Sequence, residues 1–252
     1  MAPDRLARHM HLLLSMTMNI QNPTLRGRSR PVWSFLQRCL AALMLIACLP
    51  ALLVLWLLVR RDSPGPFLFW QKRPGLDMRP IRVCKIRTMT VGADRDSNNG
   101  LGVTREHPDV TGVGRRLRAL KLDEIPQLWN IVRGDMEFVG PRPIAESLVE
   151  LLTKEIVGFE DRFRAKPGLT SVGQVSIVEN GIGARLVADW QLRHEAEIHH
   201  LTYRSAGYDI VVVALTVAYL IRGIGREMGG YAFVGKDVQE SVRSESKLLT
   251  LR

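Results

Sequence analysis

Asp123 and Glu124 stand side by side in KLDEIPQLWNIVRGDMEFVGPRP, in a 252-residue chain whose formal net charge is +10. Two readings of the pair are open. Leu122, Ile125, Leu128, Trp129 and Val132 recur at helical spacing, which predicts a helix from near Asp123 to near Gly134, with Pro126 tolerated in its first turn. On that helix Asp123, Gln127 and Asn130 share a polar face, and Glu124 projects about 100° away. Acids suit such a start: Asp123 would cap the helix and Glu124 would favour its dipole, together worth about 1 kcal/mol. The other reading is chemistry on a phosphate. Arg115, Arg116 and Arg118 precede the pair, and Arg142 follows in GPRP, a proline-flanked turn that would fix the direction of a guanidinium. Guanidinium forks match phosphate oxygens, and a carboxylate among arginines stays ionised at neutral pH, as a nucleophile must. Carboxylate plus substrate phosphate is also the usual way in which Mg2+ is held.

Several elements must position these residues. Short apolar pieces around Phe67 to Trp70 and Ile81 to Ile86, set off by Pro and Gly, read as brief strands. Lys72, Arg73, Arg79, Arg82, Lys85 and Arg87 make this region an anion-facing surface, or a solvated basic face beside acidic lipid. Val91 to Gly114 is polar and rich in Gly and Asn, and reads as a long loop.

Cys39 to Val59 runs 21 residues without a charge. At about 1.5 Å per residue it could cross a hydrocarbon core of about 30 Å. It starts too late for a secretory signal and lacks a small-residue cleavage site. Pro50 lies at its middle, where a missing donor predicts a bend. Arg26, Arg28, Arg30 and Arg38 come before it and Arg60 and Arg61 after, so the positive-inside tendency draws both ends to the cytoplasm. A helix that enters, breaks at Pro50 and returns satisfies these features; so does a proline-kinked spanning helix. Ile210 to Ile221 is too short to span and reads as a core or interfacial helix.

With 46% hydrophobic and 24% charged residues, the chain has the composition of a foldable protein, and one domain plus an extra element is expected. Its charge attracts nucleic acid, acidic lipid or phosphorylated substrates. No helix-turn-helix, zinc-finger or RNP-type signal supports nucleic acid, and no GxxxxGK[ST] loop supports an NTPase. Cys39, Cys48 and Cys84 form neither a disulfide framework nor a CxxC knuckle, so the globular part reads as cytoplasmic.

From about Arg38 to Ile221 the chain resembles the bacterial sugar transferase family of monotopic phosphoglycosyl transferases. Three blocks carry the likeness: SPGPFLFWQKRPGL with CKIRTM, LDEIPQLWNIVRGDMEFVGPRP, and KPGLTSVGQV. The resemblance implies an α+β fold: a re-entrant membrane helix hairpin, then a small, mostly helical cytosolic catalytic domain with short strands and interfacial helices. The expected division is a basic lead-in over 1–37, the membrane hairpin broken at Pro50 over 38–61, the catalytic domain over 62–225 and a tail over 226–252, a minimal form of the family.

The resemblance also implies a reaction, in which sugar-1-phosphate moves from a UDP-sugar to polyprenyl (undecaprenyl) phosphate and UMP is released. Asp123 matches the nucleophile that forms a phosphosugar-aspartyl intermediate and would touch Mg2+; Glu124 matches its dyad partner. Arg118, Arg142, Lys85 and Arg87 fall at basic positions and are expected to bind phosphate. The implied setting is the cytoplasmic face of the bacterial inner membrane, at the initiating step of exopolysaccharide or glycoconjugate synthesis. Partners would be membrane lipid and the two substrates, with a homodimer and other glycan-pathway enzymes as further candidates.

The chain also departs from the family pattern. Ser171-Val172 stands where Gly-Trp is common, and Leu49 where many members place Ser before the proline. In HEAEIHHLTYRSAGYDI, Glu195 and Asp209 match, Glu197 replaces Asp, and His199-His200 replace two tyrosines. A metal site or a satisfied surface pair would account for the histidines, the second being favoured without a third spaced ligand. Sugar contacts are expected around Ile177 to Trp190. A non-catalytic, membrane-anchored scaffold of a polysaccharide assembly complex is the alternative function; the intact dyad speaks against it.

Overall fold

The computed structural model describes residues 31–93, 107–176 and 184–228. The basic lead-in to residue 30, most of the predicted 91–114 loop, the first part of the 177–190 stretch and the chain beyond 228 lie outside the described residues.

Helix α1, Pro31–Asp62, is a single run of 32 residues that continues through Pro50. The expected break there is therefore not an end of one helix and a start of another. Proline still removes the donor that the Ile46 carbonyl would use, which weakens the helix at that turn. Ser34, Gln37, Ala41, Leu45, Cys48, Leu52, Leu55 and Val59 recur in steps of three and four and form its buried or half-buried face. Leu43, Ile46, Leu49, Leu53 and Trp56 point outward and are exposed. A helix apolar on all sides but covered on only one is long and apolar enough to cross a membrane.

The covered face lies on the rest of the domain along nearly its whole length. Ala41 and Leu45 pack with Val83, Leu128, Ile131 and Met136, while Leu52, Leu55 and Val59 pack with Ile86 and Leu117. Polar contacts close both ends: Gln37 Oε1 accepts the Phe138 N–H at 2.8 Å, and Asp62 Oδ2 accepts the Val113 N–H at 2.9 Å.

Strands β1 (Leu68–Pro74) and β2 (Pro80–Ile86) form the antiparallel hairpin expected from the two apolar pieces, with Trp70 opposite Cys84 and Lys72 opposite Arg82. Helix α2, Gly112–Leu120, is capped by the Thr111 hydroxyl, which accepts the Gly114 N–H. Gly114 lies so close to the Thr88 carbonyl that a Cβ would come within 2.1 Å of its oxygen, which keeps α2 against the end of β2.

The helix expected from Asp123 to Gly134 is divided. Leu122–Glu124 is a 3-10 turn, and α3 runs Gln127–Arg133 until Gly134, at φ 83°, ends it. Two three-residue strands, β3 (Glu137–Val139) and β4 (Gly168–Thr170), then pair in parallel. Helix α4, Glu146–Glu155, a 3-10 stretch at Phe159–Arg164 and helix α6, Ala184–Thr202, enclose a core of Leu148, Leu152, Phe159 and Trp190. Helix α5, Val172–Ser176, and helix α7, Ala206–Met228, complete the described chain. Tyr208 and Val212 of α7 are buried against Val139 and Val172, and Thr216 meets Thr170 at 2.7 Å; Ile210, Val217 and Ile221 are exposed. One face of this apolar run is thus part of the core, as the core-helix alternative expects, and the other is exposed. The described residues form a mixed α+β architecture of mostly helical character, with one helix among them long and apolar enough to cross a membrane.

Candidate active site

The dyad sits at the junction of α2 and α3, facing β2. Lys121 ends α2 in a left-handed conformation at φ 57°, and the chain turns tightly through Leu122–Glu124. Asp123 and Glu124 are 7% and 9% exposed, unlike ordinary helix-cap acids. Neither caps anything: no side chain caps the 3-10 turn or α3. The capping reading therefore falls.

Glu124 is tied down. Its Oε1 accepts from Lys85 Nζ at 3.0 Å and from Arg142 Nη2 at 3.3 Å. Burial alone would raise its pKa, but Lys85, Arg142 and Lys121 outweigh burial and hold the carboxyl well below the ordinary glutamate range. Asp123 differs. Burial pushes its carboxyl above the ordinary 3.8, with Lys85, Lys121 and Arg118 pulling the other way and Glu124 adding to the rise. Its Oδ1 is buried and has no hydrogen-bond partner among the described residues. One carboxylate is fixed and one is left for another ligand.

The surrounding cations come from separate elements. Lys85 projects from β2, Arg118 from the last turn of α2 and Arg142 from the GPRP turn after β3. Arg118 Nε donates to the Thr88 hydroxyl at 2.8 Å, which directs the arginine along the edge shared by β2 and α2. Arg115 and Arg116 are exposed. Arg87 stands apart from the expected phosphate set. Its guanidinium donates to the carbonyls of Pro66 at 2.6 Å, Pro64 at 2.7 Å and Ser63 at 2.8 Å, bracing the turn between α1 and β1.

Asn130 was grouped with Asp123 on a polar face, and its side chain turns out to be wholly buried. Its Oδ1 accepts the Cys84 N–H at 2.9 Å and its Nδ2 donates to the Arg82 carbonyl at 2.6 Å. The helix after the dyad is thereby pinned to the strand that carries Lys85.

Arg162 and Glu197, both buried, are close to Arg142. Nothing in the spacing of Arg162 marked it out. Glu197 was visible only as a variation within a family segment. His200 is buried rather than on the surface, and its Nε2 lies 2.8 Å from Asp209 Oδ1. Asp209 Oδ2 also accepts from Trp33 Nε1 at 3.1 Å, which joins α7 to the start of α1.

No group of three or more His, Cys, Asp or Glu placed to hold a metal occurs among the described residues. The donor set is instead one unpartnered aspartate oxygen beside a second carboxylate. That fits a Mg2+ completed by substrate phosphate oxygens, because this ion is usually held by one or two carboxylates plus phosphate.

The buried carboxylate pair is ringed by cations, on a domain that carries a membrane-length apolar helix. The chain belongs to the bacterial sugar transferase family, whose sequence profile matches residues 29–223. It is similar to the UDP-glucose:undecaprenyl-phosphate glucose-1-phosphate transferase of Caulobacter vibrioides, at 38% identity over 72% of this chain and 66% of that one. The Escherichia coli protein of the same name is 37% identical over 71% of this chain and 38% of its own length. The UDP-N-acetylgalactosamine-undecaprenyl-phosphate N-acetylgalactosaminephosphotransferase of Aeromonas hydrophila is 30% identical over 77% of this chain and 46% of its own. The matched region thus spans two thirds or less of these relatives.

Proposed function

We propose that this protein transfers a sugar-1-phosphate from a UDP-sugar to polyprenyl phosphate, releasing UMP, as the first membrane step of a surface glycan. The observation that carries the reading is the contrast within the dyad: Glu124 is held by Lys85 and Arg142, while Asp123 is buried with an unpartnered oxygen. The names of the relatives support the two substrates.

In the first step an Asp123 oxygen attacks the phosphorus that bears the sugar. The bond from that phosphorus to the bridging oxygen breaks, and UMP leaves with the oxygen and its electron pair. Asp123 keeps the sugar phosphate as an acyl phosphate until an oxygen of polyprenyl phosphate attacks the same phosphorus and frees the carboxylate. Arg118, Arg142 and Lys85 offset the phosphate charge in both steps. Glu124 keeps Lys85 and Arg142 in place beside Asp123. When bound, Mg2+ would rest on Asp123 and neutralise the diphosphate.

Reaction at the cytoplasmic face of the inner membrane brings the carrier's phosphate to the dyad while its tail stays in lipid. In this reading both ends of α1 stay on that face, with Pro50 and the exposed residues around it turned toward lipid.

The test is UMP release by the purified full-length protein with Mg2+ from a panel of UDP-sugars, with and without polyprenyl phosphate. Lipid-dependent turnover with at least one donor, and a stoichiometric burst of UMP when lipid is absent, are expected. Asp123→Asn should abolish both. A folded wild type inactive with every donor would overturn the reaction, and an active Asp123→Asn protein would overturn the nucleophile.

A further inference from the structure

The guanidinium of Arg142 reaches Glu124 from a turn that has few soft degrees of freedom. Pro141 and Pro143 fix φ on both sides, and a residue ahead of proline is itself restricted to extended conformations. The peptide groups of Arg142 are gripped as well. Glu197 Oε1 accepts its N–H at 3.1 Å, and Arg162 Nη2 donates to its carbonyl at 3.0 Å. The same Nη2 lies 2.8 Å from Glu197 Oε2, so the two side chains and the Arg142 backbone close a ring.

Arg162 has a side-chain exposure of 0% and Glu197 of 3%, and burying an ion pair is a poor way to gain stability alone. The guanidinium plane is set by aromatic rings: its central carbon lies 4.8 Å from the Phe159 centroid and 5.3 Å from that of Trp190. A charge pair fixed by ring stacking on one side and facing a single backbone residue on the other acts on that residue.

We infer that Arg162 and Glu197 are positioning residues, a buried clamp on the Arg142 backbone that aims its guanidinium at the phosphates of the nucleotide donor. The inference rests on the proposed function, since it gives Arg142 a phosphate to meet. Arg162 and Glu197 do not themselves touch substrate. They remove freedom from Arg142 before the donor arrives, so that less is lost on binding.

The variants Arg162→Lys and Glu197→Asp keep both charges and so keep the ion pair's balance. Lysine lacks the fork and the stackable plane, and aspartate draws the acceptor back from the Arg142 N–H. Each is made in the wild type and in an Arg142→Ala background, and UDP affinity is measured by calorimetry with Mg2+. Melting curves confirm that each variant is folded, and either variant alone suffices for the cycle.

In the wild-type background a loss of about tenfold in affinity is expected for Arg162→Lys, with a loss in the same direction for Glu197→Asp; in the Arg142→Ala background both losses should shrink below about twofold. A merely structural defect would act equally in the two backgrounds. Equal losses, or no loss with Arg142 present, would overturn the clamp while leaving the reaction intact. A wild type that neither binds UDP nor turns over any UDP-sugar would instead remove the functional reading, and the clamp with it.

Discussion

Burial and charge oppose each other at Asp123. Its carboxyl is pushed above 3.8 by burial, and Lys85 is the strongest of the cations pulling it back. As the proposed nucleophile Asp123 must be ionised, so the acidic limb of the kcat/KM profile should lie above the value of a free aspartate. Lys85→Met removes a positive charge that favours the ionised form. The limb should then move to higher pH, with kcat/KM falling by about tenfold or more near neutrality. A limb that stays in place would assign it to another group. Arg87 predicts the opposite pattern, because its donors meet three carbonyls of the turn between α1 and β1. Arg87→Lys should cost about 2 kcal/mol in stability by leaving carbonyls unmet, read as a lower melting temperature, with UDP affinity of the folded protein unchanged. A large loss of affinity at full stability would return Arg87 to the phosphate set.

Among the elements, the β1–β2 hairpin and the α3 helix were legible because their signals are local. Apolar pieces between Pro-Gly turns mark the one, and helical spacing closed by Gly134 marks the other. The parallel β3–β4 pair was not legible. Each strand has three residues, too few for a period, and the pairing depends on Gly140 and Gly168, whose backbones approach so closely that a Cβ on Gly168 would come within 2.1 Å of the Gly140 nitrogen. At the site, the dyad and Arg142 stood out by type and spacing. The Asn130 bridge and the Arg162–Glu197 grip did not, because each joins segments far apart in the chain. The Asn130 bridge is testable at this scale. Asn130→Ala leaves the Cys84 N–H and the Arg82 carbonyl unmet in the core, at about 2–4 kcal/mol together. It also frees β2, and Lys85 with it, from α3. The unfolding free energy should fall by that amount, read as a lower melting temperature, and kcat/KM per folded molecule should fall too. An intact kcat/KM would mean that the bridge holds the fold and not the site.

For the molecule as a whole, the placement of α1 decides how the protein can meet a bilayer. Gln37 and Val59 lie 22 positions apart on one helix, and both are buried against the same domain. At about 1.5 Å per residue the contacts are about 33 Å apart, close to the thickness of a hydrocarbon core. If α1 crossed the membrane in this arrangement, the domain beneath it would have to cross too. That would take Lys85, Arg118, Arg142 and the dyad into lipid, at a cost of several kcal/mol for each charge. Keeping both ends of α1 on the domain's own side avoids this, with the exposed residues Leu43 to Trp56 turned toward lipid. Single cysteines in place of Val32 and Arg61, in a protein whose native Cys39, Cys48 and Cys84 are replaced, report the two ends separately. A membrane-impermeant maleimide should label both in inside-out vesicles and neither in right-side-out cells. Labelling of one end in each preparation would establish a spanning helix, and α1 would then have to leave the seam that Ala41, Leu45, Leu52 and Val59 make with the domain.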